Sequence, residues 1–281
     1  MLFIQKIKTT VFVFIISLLS ITTMLAQGGG GYTSLNILPG YGLDAAPQNL
    51  GDNVTLIPGR PASHQLMSGS FGRGFNFGAN YCYMINEVFG TELGCYYLKS
   101  AILKSHETDI GNTYDNKVAA NMFRIVPSFM ITTDEEDDPK GKLRTYVKFG
   151  VAIGFASIID ALTITSDSSM ITNVETKYSG GTSVGVALAF GFKLKLSDKI
   201  SFFTEISGIG QSYSPAKSEV TKYTVNGIDK LSSLTANDRE TNYVDSNLKP
   251  DVPGSPRQEA KQAYPFSSGG INVGIRFFLS K

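Results

Sequence analysis

The stretch Ile271 to Lys281, INVGIRFFLSK, decides the fold class of this 281-residue chain. Apolar residues fall at positions 271, 273, 275, 277 and 279, whereas Asn, Gly, Arg and Ser fall at 272, 274, 276 and 280. Successive side chains of a β-strand point to opposite faces, so the pattern predicts a strand with one apolar and one polar face. Phe278 alone departs from it. The run has about the ten residues that a tilted strand needs to cross a membrane.

Seven further segments show the same alternation. From Leu143 to Phe155, mostly apolar residues at odd positions alternate with small or charged residues at even positions. Pro127 lies inside one segment, where its missing N–H predicts a bulge or a position near the rim. The eight predicted strands cover residues 31–39, 68–84, 89–105, 117–132, 142–163, 178–196, 199–213 and 269–281.

The connections between these strands alternate between short and long. Short ones lie around Asn86-Glu87, at 133–141 and at 197–199, and long ones at 40–67, 106–116, 164–177 and 214–268. Outer-membrane barrels have short periplasmic turns and long external loops. The sequence therefore predicts an all-β, antiparallel up-and-down transmembrane β-barrel of eight strands, with both termini in the periplasm. A soluble, secreted β-sandwich stays the alternative, because alternation within strands suits it equally well.

Residues 1–26 are expected to form a signal peptide, and residues 27–281 the barrel domain. Lys6 and Lys8 precede the apolar run Val11–Ile21, and Ala26 offers a small residue for cleavage. The 25 basic and 24 acidic residues nearly cancel, so no global charge favours nucleic acid as a partner. Outer-membrane lipids are the expected surroundings of the strands, and the localisation is the cell outer membrane.

The longest connection, about 214–268, contains the strongest turn signal. Asn226-Gly227 is a type I′ turn sequence between Glu219–Val225 and Ile228–Leu234. Beyond this hairpin, Asn237–Lys261 is polar and contains prolines, so we expect it to be flexible.

With these strands and loops, the chain resembles the small eight-stranded outer-membrane proteins of the OmpA transmembrane-domain and OmpX type. The most similar stretches are TELGCYY at 91–97, YVKFG at 146–150 and GINVGIRFF at 270–278. The resemblance covers the architecture of residues 31–281 and no continuous motif. Such proteins usually end in an aromatic residue, whereas this chain ends FLSK. OmpA-like proteins often continue into a periplasmic peptidoglycan-binding domain, which we do not expect here.

The residues that the alternation places on the inner face predict a lumen that contains charged side chains. Barrels of this size are filled by side chains, and buried charges need partners. We therefore predict a structural network in which two glutamates bridge the basic residues, and a narrow or gated ion path is the alternative interpretation. Arg144 and Lys193 also face inward but lie nearest the periplasmic turns, where they can reach water. The predicted network consists of Glu92, Arg124, Lys148, Glu205 and Arg276.

No catalytic, cofactor or metal site is predicted. His64 and His106 lie in predicted external loops, and Ser105 and His106 are adjacent, so on a strand they point to opposite faces. This is poor geometry for nucleophilic catalysis. The acidic turn Asp134–Asp138 lacks the spacing of a calcium loop. The glycine run Gly28–Gly31 has no following Lys-Ser/Thr, so it is not a phosphate loop.

The two cysteines are predicted to remain unpaired. The alternation places Cys82 inward and Cys95 outward, and side chains on opposite faces of a sheet cannot form a disulfide.

These features favour a non-enzymatic scaffold that presents external loops to a protein or surface partner, because much of the chain lies in the long connections. A narrow channel for ions or small hydrophobic molecules is the alternative, and a lipid-modifying barrel enzyme is a less supported third hypothesis. The sequence leaves the partner and the oligomeric state open.

Overall fold

Eight long antiparallel strands form the body of the molecule in the computed structural model, which describes residues 31–55, 63–109, 111–133, 143–245, 250, 252 and 254–280. We number them as barrel strands one to eight. They are Thr33–Asp44, Gly74–Met84, Phe89–Ser100, Asn112–Thr132, Leu143–Ser166, Ser183–Lys195, Ile200–Tyr213 and Ser268–Ser280.

The strands close into a ring. Each pairs antiparallel with the next along the chain. The eighth then pairs with the first, where Ile275 lies opposite Ile37 and Ile271 opposite Tyr41. The molecule is therefore an eight-stranded, up-and-down antiparallel β-barrel. The predicted fold class is confirmed, and each of the eight predicted strands corresponds to one barrel strand.

The outer face of the barrel is an apolar belt. Phe149, Leu188 and Ile206 point outward and are 48%, 60% and 64% exposed, and similar residues surround the ring. An exposed apolar surface of this extent marks contact with a membrane or a partner. A barrel can span a membrane because closure pairs every backbone hydrogen-bonding group along the ring. No helix among the described residues is long and apolar enough to cross a membrane.

Pro127 interrupts the fourth strand without a bulge. On the side of the fifth strand, Ile125 lies opposite Ile153 and Ser128 opposite Gly150, so the register is the same before and after the proline. On the side of the third strand the pairing is continuous through Leu93. The expected bulge is therefore wrong, because the register of the strand pairing does not change at Pro127 despite its missing N–H.

We call the end of the barrel that carries the long connections the outer end. Three predicted strands are longer than the barrel strands to which they correspond, because the chain leaves the barrel wall near this end. The predicted strand 178–196 divides at Gly180 and Gly181, whose φ angles of 78° and 77° suit only glycine without strain. The predicted strand 68–84 divides at the turn Ser70–Arg73, and 89–105 divides after Ser100.

The outer connections fold into further strands. These are Gln48–Thr55, Ser63–Gly69, Leu103–Asp109, Ile171–Ser179, Lys217–Val225, Ile228–Asp229, Glu240–Val244, Arg257–Ala260 and Tyr264–Pro265, with a 3-10 helix at Leu231–Ser233 and a helical turn at Ala236–Arg239.

Most of these strands extend the barrel wall into one continuous sheet, which we call the outer sheet. The fourth and fifth barrel strands, 21 and 24 residues long, form its centre. On one side it continues through Ile171–Ser179, Lys217–Val225, Glu240–Val244 and Arg257–Ala260. On the other side lie Leu103–Asp109 and the hairpin of the first connection.

The fourth outer connection contains the predicted two-residue hairpin. Val225 pairs with Ile228 across Asn226 and Gly227, both of which have positive φ angles. The expectation of a flexible stretch at 237–261 is wrong for its two ends. There Glu240–Val244 and Arg257–Ala260 pair as parallel strands, because backbone pairing to the outer sheet compensates for the shortage of apolar residues.

Candidate functional site

A buried ion cluster crosses the middle of the lumen. Lys148 on the fifth strand points inward, and its Nζ lies 2.9 Å from Glu92 Oε1 and 2.7 Å from Glu205 Oε2. The two glutamates come from the third and seventh strands, so one ammonium joins opposite walls. All three residues are at most 5% exposed. The structure thus brings together three of the five predicted lumen charges.

Amide and phenol groups complete the coordination of the two carboxylates. Asn80 donates to Glu92 Oε1 at 2.8 Å, and Asn36 donates to Glu92 Oε2 at 3.1 Å. Tyr146 and Asn272 donate to the two oxygens of Glu205 at 2.9 and 3.0 Å. Each buried carboxylate oxygen therefore accepts a hydrogen bond, as burial of a charge requires. The alternation of the sequence also places these asparagines on the inner face, but the predicted network contains only charged residues.

Arg276 is attached to the same cluster. Its Nε donates to Asn36 Oδ1 at 2.9 Å, and its Nη2 lies 4.0 Å from Glu92 Oε2. The guanidinium also lies 5.9 Å from the ring centroids of Tyr146 and Phe203, within the range of a cation–π contact. We call Glu92, Lys148, Glu205 and Arg276 the lumen cluster. It contains two cations and two anions.

Arg124 does not belong to the lumen cluster. Its Nε donates to Gln211 Oε1 at 2.9 Å, and its Nη2 donates to the carbonyl oxygen of Phe266 at 3.0 Å. It lies opposite Gly154, six residues along the fifth strand from Lys148 and nearer the outer end. The predicted bridge between a glutamate and Arg124 is therefore wrong, because the stagger of the strands separates them in depth.

The outer end of the lumen is closed by an apolar cluster, which we call the outer apolar cluster. Its members come from four barrel strands and from the ends of two outer connections. They are Phe71, Leu98, Ala120, Met122, Ile158, Tyr213 and Phe266, each at most 2% exposed.

Backbone contacts hold this closure in place. Phe71 N donates to the carbonyl of Pro265 at 2.9 Å, and Phe266 N donates to the carbonyl of Gln211 at 2.9 Å. Ser70 Oγ donates to the carbonyl of Ser267 at 2.6 Å. The ends of the first and fourth outer connections are therefore joined to each other next to the first strand, which lies between the second and eighth strands.

A second apolar cluster surrounds the ion cluster in the half of the lumen nearer the short connections. Its residues are Leu38, Cys82, Met84, Met130, Tyr146 and Phe203, each at most 2% exposed. Glycines on neighbouring strands make room for its rings, since a Cβ at Gly191 or Gly274 would overlap Tyr146 or Phe203. The charged residues are thus enclosed by apolar side chains from both ends.

Arg144 and Lys193 lie at the end of the barrel that carries the short connections, where the sequence predicts them. They line a cavity of about 120 Å³ together with Tyr32 and Asp198. Lys193 Nζ lies 3.4 Å from the hydroxyl of Tyr32.

His106 lies on the hairpin strand Leu103–Asp109, outside the barrel. Its Nδ1 is 2.8 Å from Asp115 Oδ1 across the hairpin, and Thr108 Oγ1 lies 3.4 Å from Nε2. Ser105 is adjacent to it on the strand. The His106 and Asp115 side chains are 60% and 53% exposed and line neither cavity described here.

The remaining predictions on individual residues have different outcomes. Both cysteines are free, Cys82 buried and Cys95 exposed on the outer face, which confirms the prediction of no disulfide. No three His, Cys, Asp or Glu side chains of the described residues form a group that could hold a metal ion. The signal peptide, the acidic turn 134–138, Gly28–Gly30 and the side chain of His64 lie outside the described residues.

Asp160 is a partly buried carboxylate above the apolar belt, on the outer extension of the fifth strand. Burial raises the pKa of the Asp160 carboxyl, and a hydrogen bond with Asn116 opposes the rise. Asp160 Oδ1 has no hydrogen-bond partner among the described residues. The outer sheet therefore carries an anion whose charged form is poorly compensated.

Asp160→Asn is expected to stabilise the outer sheet at neutral pH and to have less effect at pH 4. A folded-state pKa above the unfolded value means that stability is present at low pH and is lost as pH rises through the folded pKa. The asparagine removes this loss. Thermal midpoints of the refolded barrel at pH 4 to 7 measure the difference, with the exposed Asp167→Asn as control. An equal difference at every pH would contradict the prediction.

Three solved structures are similar to this chain at low sequence identity. Neisserial surface protein A (NspA) is 10% identical, with 89% of this chain and 97% of that chain covered and a TM-score of 0.36. Ail, the attachment invasion locus protein of Yersinia pestis, is 10% identical, with the same coverage and a TM-score of 0.28. CarO of Acinetobacter baumannii is 14% identical, with 72% and 92% covered and a TM-score of 0.30.

No family model matches the chain, and no curated protein matches it. At these TM-scores the fold assignment rests on the strand pairings of the chain itself.

Proposed function

We propose that this protein is a non-conducting outer-membrane barrel that holds a folded recognition surface, the outer sheet, above the membrane. One observation carries the proposal. The fourth and fifth strands have 21 and 24 residues, whereas crossing a membrane takes about 9–11. The residues beyond this length continue as paired strands of the outer sheet. The chain therefore forms ordered structure outside the apolar belt, whereas the lumen is filled by side chains.

The apolar belt supports placement in the outer membrane with the outer sheet facing the exterior. The short connections Ile85–Val88 and Leu196–Lys199 lie at the opposite end, together with Tyr32 and Ser280. This is the asymmetry of barrels delivered from the periplasm. Fractionation of cells tests the location, because a secreted β-sandwich would appear in the soluble fraction.

An ordered outer sheet suits recognition better than flexible loops would. Binding orders the groups that make contact, and a surface that is already paired loses less entropy. The outer sheet carries charges of both signs, since Arg239 is paired with Glu219 at 2.8 Å and Lys261 with Asp245 at 2.9 Å. A protein or surface partner of mixed polarity fits this face.

Deleting residues 216–261 is expected to abolish partner capture and to leave a folded barrel. Tyr213 and Tyr264 are paired backbone to backbone, so Ser214-Pro215-Gln262-Ala263 would join them as a four-residue hairpin loop. A deletion that began at Gln211 would instead remove a hydrogen-bond partner of Arg124. Heat-modifiable migration on gels reports the barrel. Photo-cross-linking in intact cells from a reactive side chain at Lys104, outside the deletion, reports the partner.

The matched control carries the same reactive side chain at Glu87, in a periplasmic turn. Cross-links from Lys104 that persist unchanged after the deletion would contradict a role for the fourth connection. Identical cross-links from Glu87 would contradict recognition by the exterior face.

A narrow channel is the second candidate function, favoured by a cavity of about 50 Å³ between Arg124 and Lys148. The apolar clusters at both ends of the lumen oppose conduction. Recording in planar bilayers decides between them, and steps that change with Glu92→Gln or Arg124→Ala would favour the channel. A lipid-modifying enzyme is tested by lipid A mass spectra with and without His106.

A further inference from the structure

One positive charge inside the barrel has no compensating carboxylate among the residues that the structure describes. Lys148 and Arg276 are balanced by Glu92 and Glu205 in the lumen cluster. Arg124 is fully buried, and its two hydrogen-bond acceptors are the neutral Gln211 amide and the Phe266 carbonyl. An arginine side chain stays charged in proteins, so deprotonation offers no escape. Burial of an uncompensated charge is costly.

No other described carboxylate is placed to neutralise Arg124. Both oxygens of Glu205 are taken by Lys148, Tyr146 and Asn272. Asp160 lies six residues beyond Gly154, the residue opposite Arg124, which is about 20 Å along a strand. The outer apolar cluster separates that level from the lumen.

The third nitrogen of the guanidinium marks where a compensating anion would bind. No atom of the described residues accepts a hydrogen bond from Arg124 Nη1. Arg124 lines a cavity of about 50 Å³ together with Lys148 and Glu205 of the lumen cluster, and Met122 of the outer apolar cluster lies two residues from Arg124 on the same strand. One water molecule needs roughly 10–15 Å³ of such volume, so a small anion and accompanying water fit.

The rest of the lining supplies hydrogen-bond donors. Ser128, Ser207 and Asn76 face the cavity alongside Arg124. Ser207 Oγ accepts from Asn272 Nδ2 at 3.1 Å, which leaves its hydroxyl proton to donate. Lys148 and Glu205 form the floor as an already balanced pair, so the cavity carries the net charge of Arg124.

We propose that the barrel encloses a small monovalent anion, with chloride as the ion that fits, bound to Arg124 in this cavity. The ion would neutralise the lumen and would be trapped between the lumen cluster and the outer apolar cluster during folding. The site goes beyond the display of the outer sheet and does not depend on it.

Crystals of the wild-type barrel, refolded and grown in bromide in place of chloride, test the site directly. The expected result is an anomalous peak in contact with Arg124 Nη1, absent in Arg124→Met. A cavity that contains only water would overturn the proposal. Peaks confined to the protein surface, an adventitious ion only, would overturn it as well.

A solution measurement keeps the test independent of crystals. Thermal midpoints in micelles are compared at constant ionic strength for barrel refolded in chloride and for barrel refolded in gluconate, which is too large for the cavity. Wild type should gain roughly 5–10 °C at a hundredfold excess of chloride over its dissociation constant. Arg124→Met should lose this gain, whereas Arg73→Met, which removes an exposed cation on the outer rim, should keep it.

Equal midpoints for wild type in the two salts would overturn the proposal. If Arg124→Met does not fold, Arg124→Lys keeps the charge with fewer donors, and its chloride gain should be smaller than that of wild type. If Arg124→Lys gains as much in thermal midpoint from chloride as wild type does, and the anomalous map shows no peak at Arg124, the proposed site is also wrong.

Discussion

Lys148→Met is expected to lower the free energy of unfolding by about 3–5 kcal/mol, because it leaves two buried carboxylates without their shared cation. Lys148 Nζ lies 2.9 Å from Glu92 and 2.7 Å from Glu205, on opposite walls of the barrel. Without the ammonium the two anions repel each other across a medium of low polarity. Urea unfolding of the refolded barrel in micelles, followed by tryptophan-independent methods such as circular dichroism, measures the change.

Lys195→Met is the matched control for this variant. Lys195 forms an ion pair with Asp198 at 2.7 Å, but the two side chains are 48% and 79% exposed. Exposed pairs contribute about 0–1 kcal/mol, so the control should change stability little. Adding Glu205→Gln to Lys148→Met should restore much of the loss, since the remaining charges of the lumen cluster, Glu92 and Arg276, balance each other. Equal losses for Lys148→Met and Lys195→Met would show that the lumen cluster is solvated.

Phe266→Ala is expected to destabilise the barrel by about 3–5 kcal/mol, the usual loss for a large aromatic residue deleted from a packed core. Phe266 is fully buried and packs against Tyr213 and Phe71, with ring centroids 5.8 and 5.5 Å away. Its carbonyl also accepts from Arg124, and its N–H donates to Gln211. The backbone bonds survive the substitution, so the loss reports the side chain. Thermal and urea unfolding in micelles measure it.

Ile228→Ala provides the comparison for a large apolar residue outside the core. Ile228 follows the hairpin turn of the fourth connection and is 61% exposed. Such surface changes alter stability by about 0.5 kcal/mol or less. If Phe266→Ala lost no more than Ile228→Ala, the outer apolar cluster would not be a packed closure of the lumen.

The barrel wall could be predicted from the sequence because its information is local. Alternation with a period of two identifies Leu143–Phe155 and Ile271–Leu279 as strands, and it also sorts Cys82 inward and Cys95 outward. The short and long connections then fix the up-and-down order. The same alternation places Asn36, Asn80 and Asn272 on the lumen face, although the predicted network contains only charged residues.

The outer sheet was less predictable because its strands are stabilised by pairing and not by an alternating apolar pattern. Asn237–Lys261 is mostly polar, yet Glu240–Val244 and Arg257–Ala260 pair there. Their partners lie far away in sequence, so propensity and hydrophobicity carry little information about them. The hairpin at Asn226-Gly227 was predictable, since only residues that tolerate positive φ fit its turn.

The sequence by itself determined which side chains face the lumen, because the two-residue period of a strand acts at each position independently of the rest of the chain. Only the tertiary structure decided their depth, since depth depends on the stagger between strands around the closed ring. Stagger brings Glu92, Lys148, Glu205 and Arg276 together and leaves Arg124 near the outer end. It therefore also decides that one buried cation in this barrel is not compensated by the carboxylates of the lumen cluster.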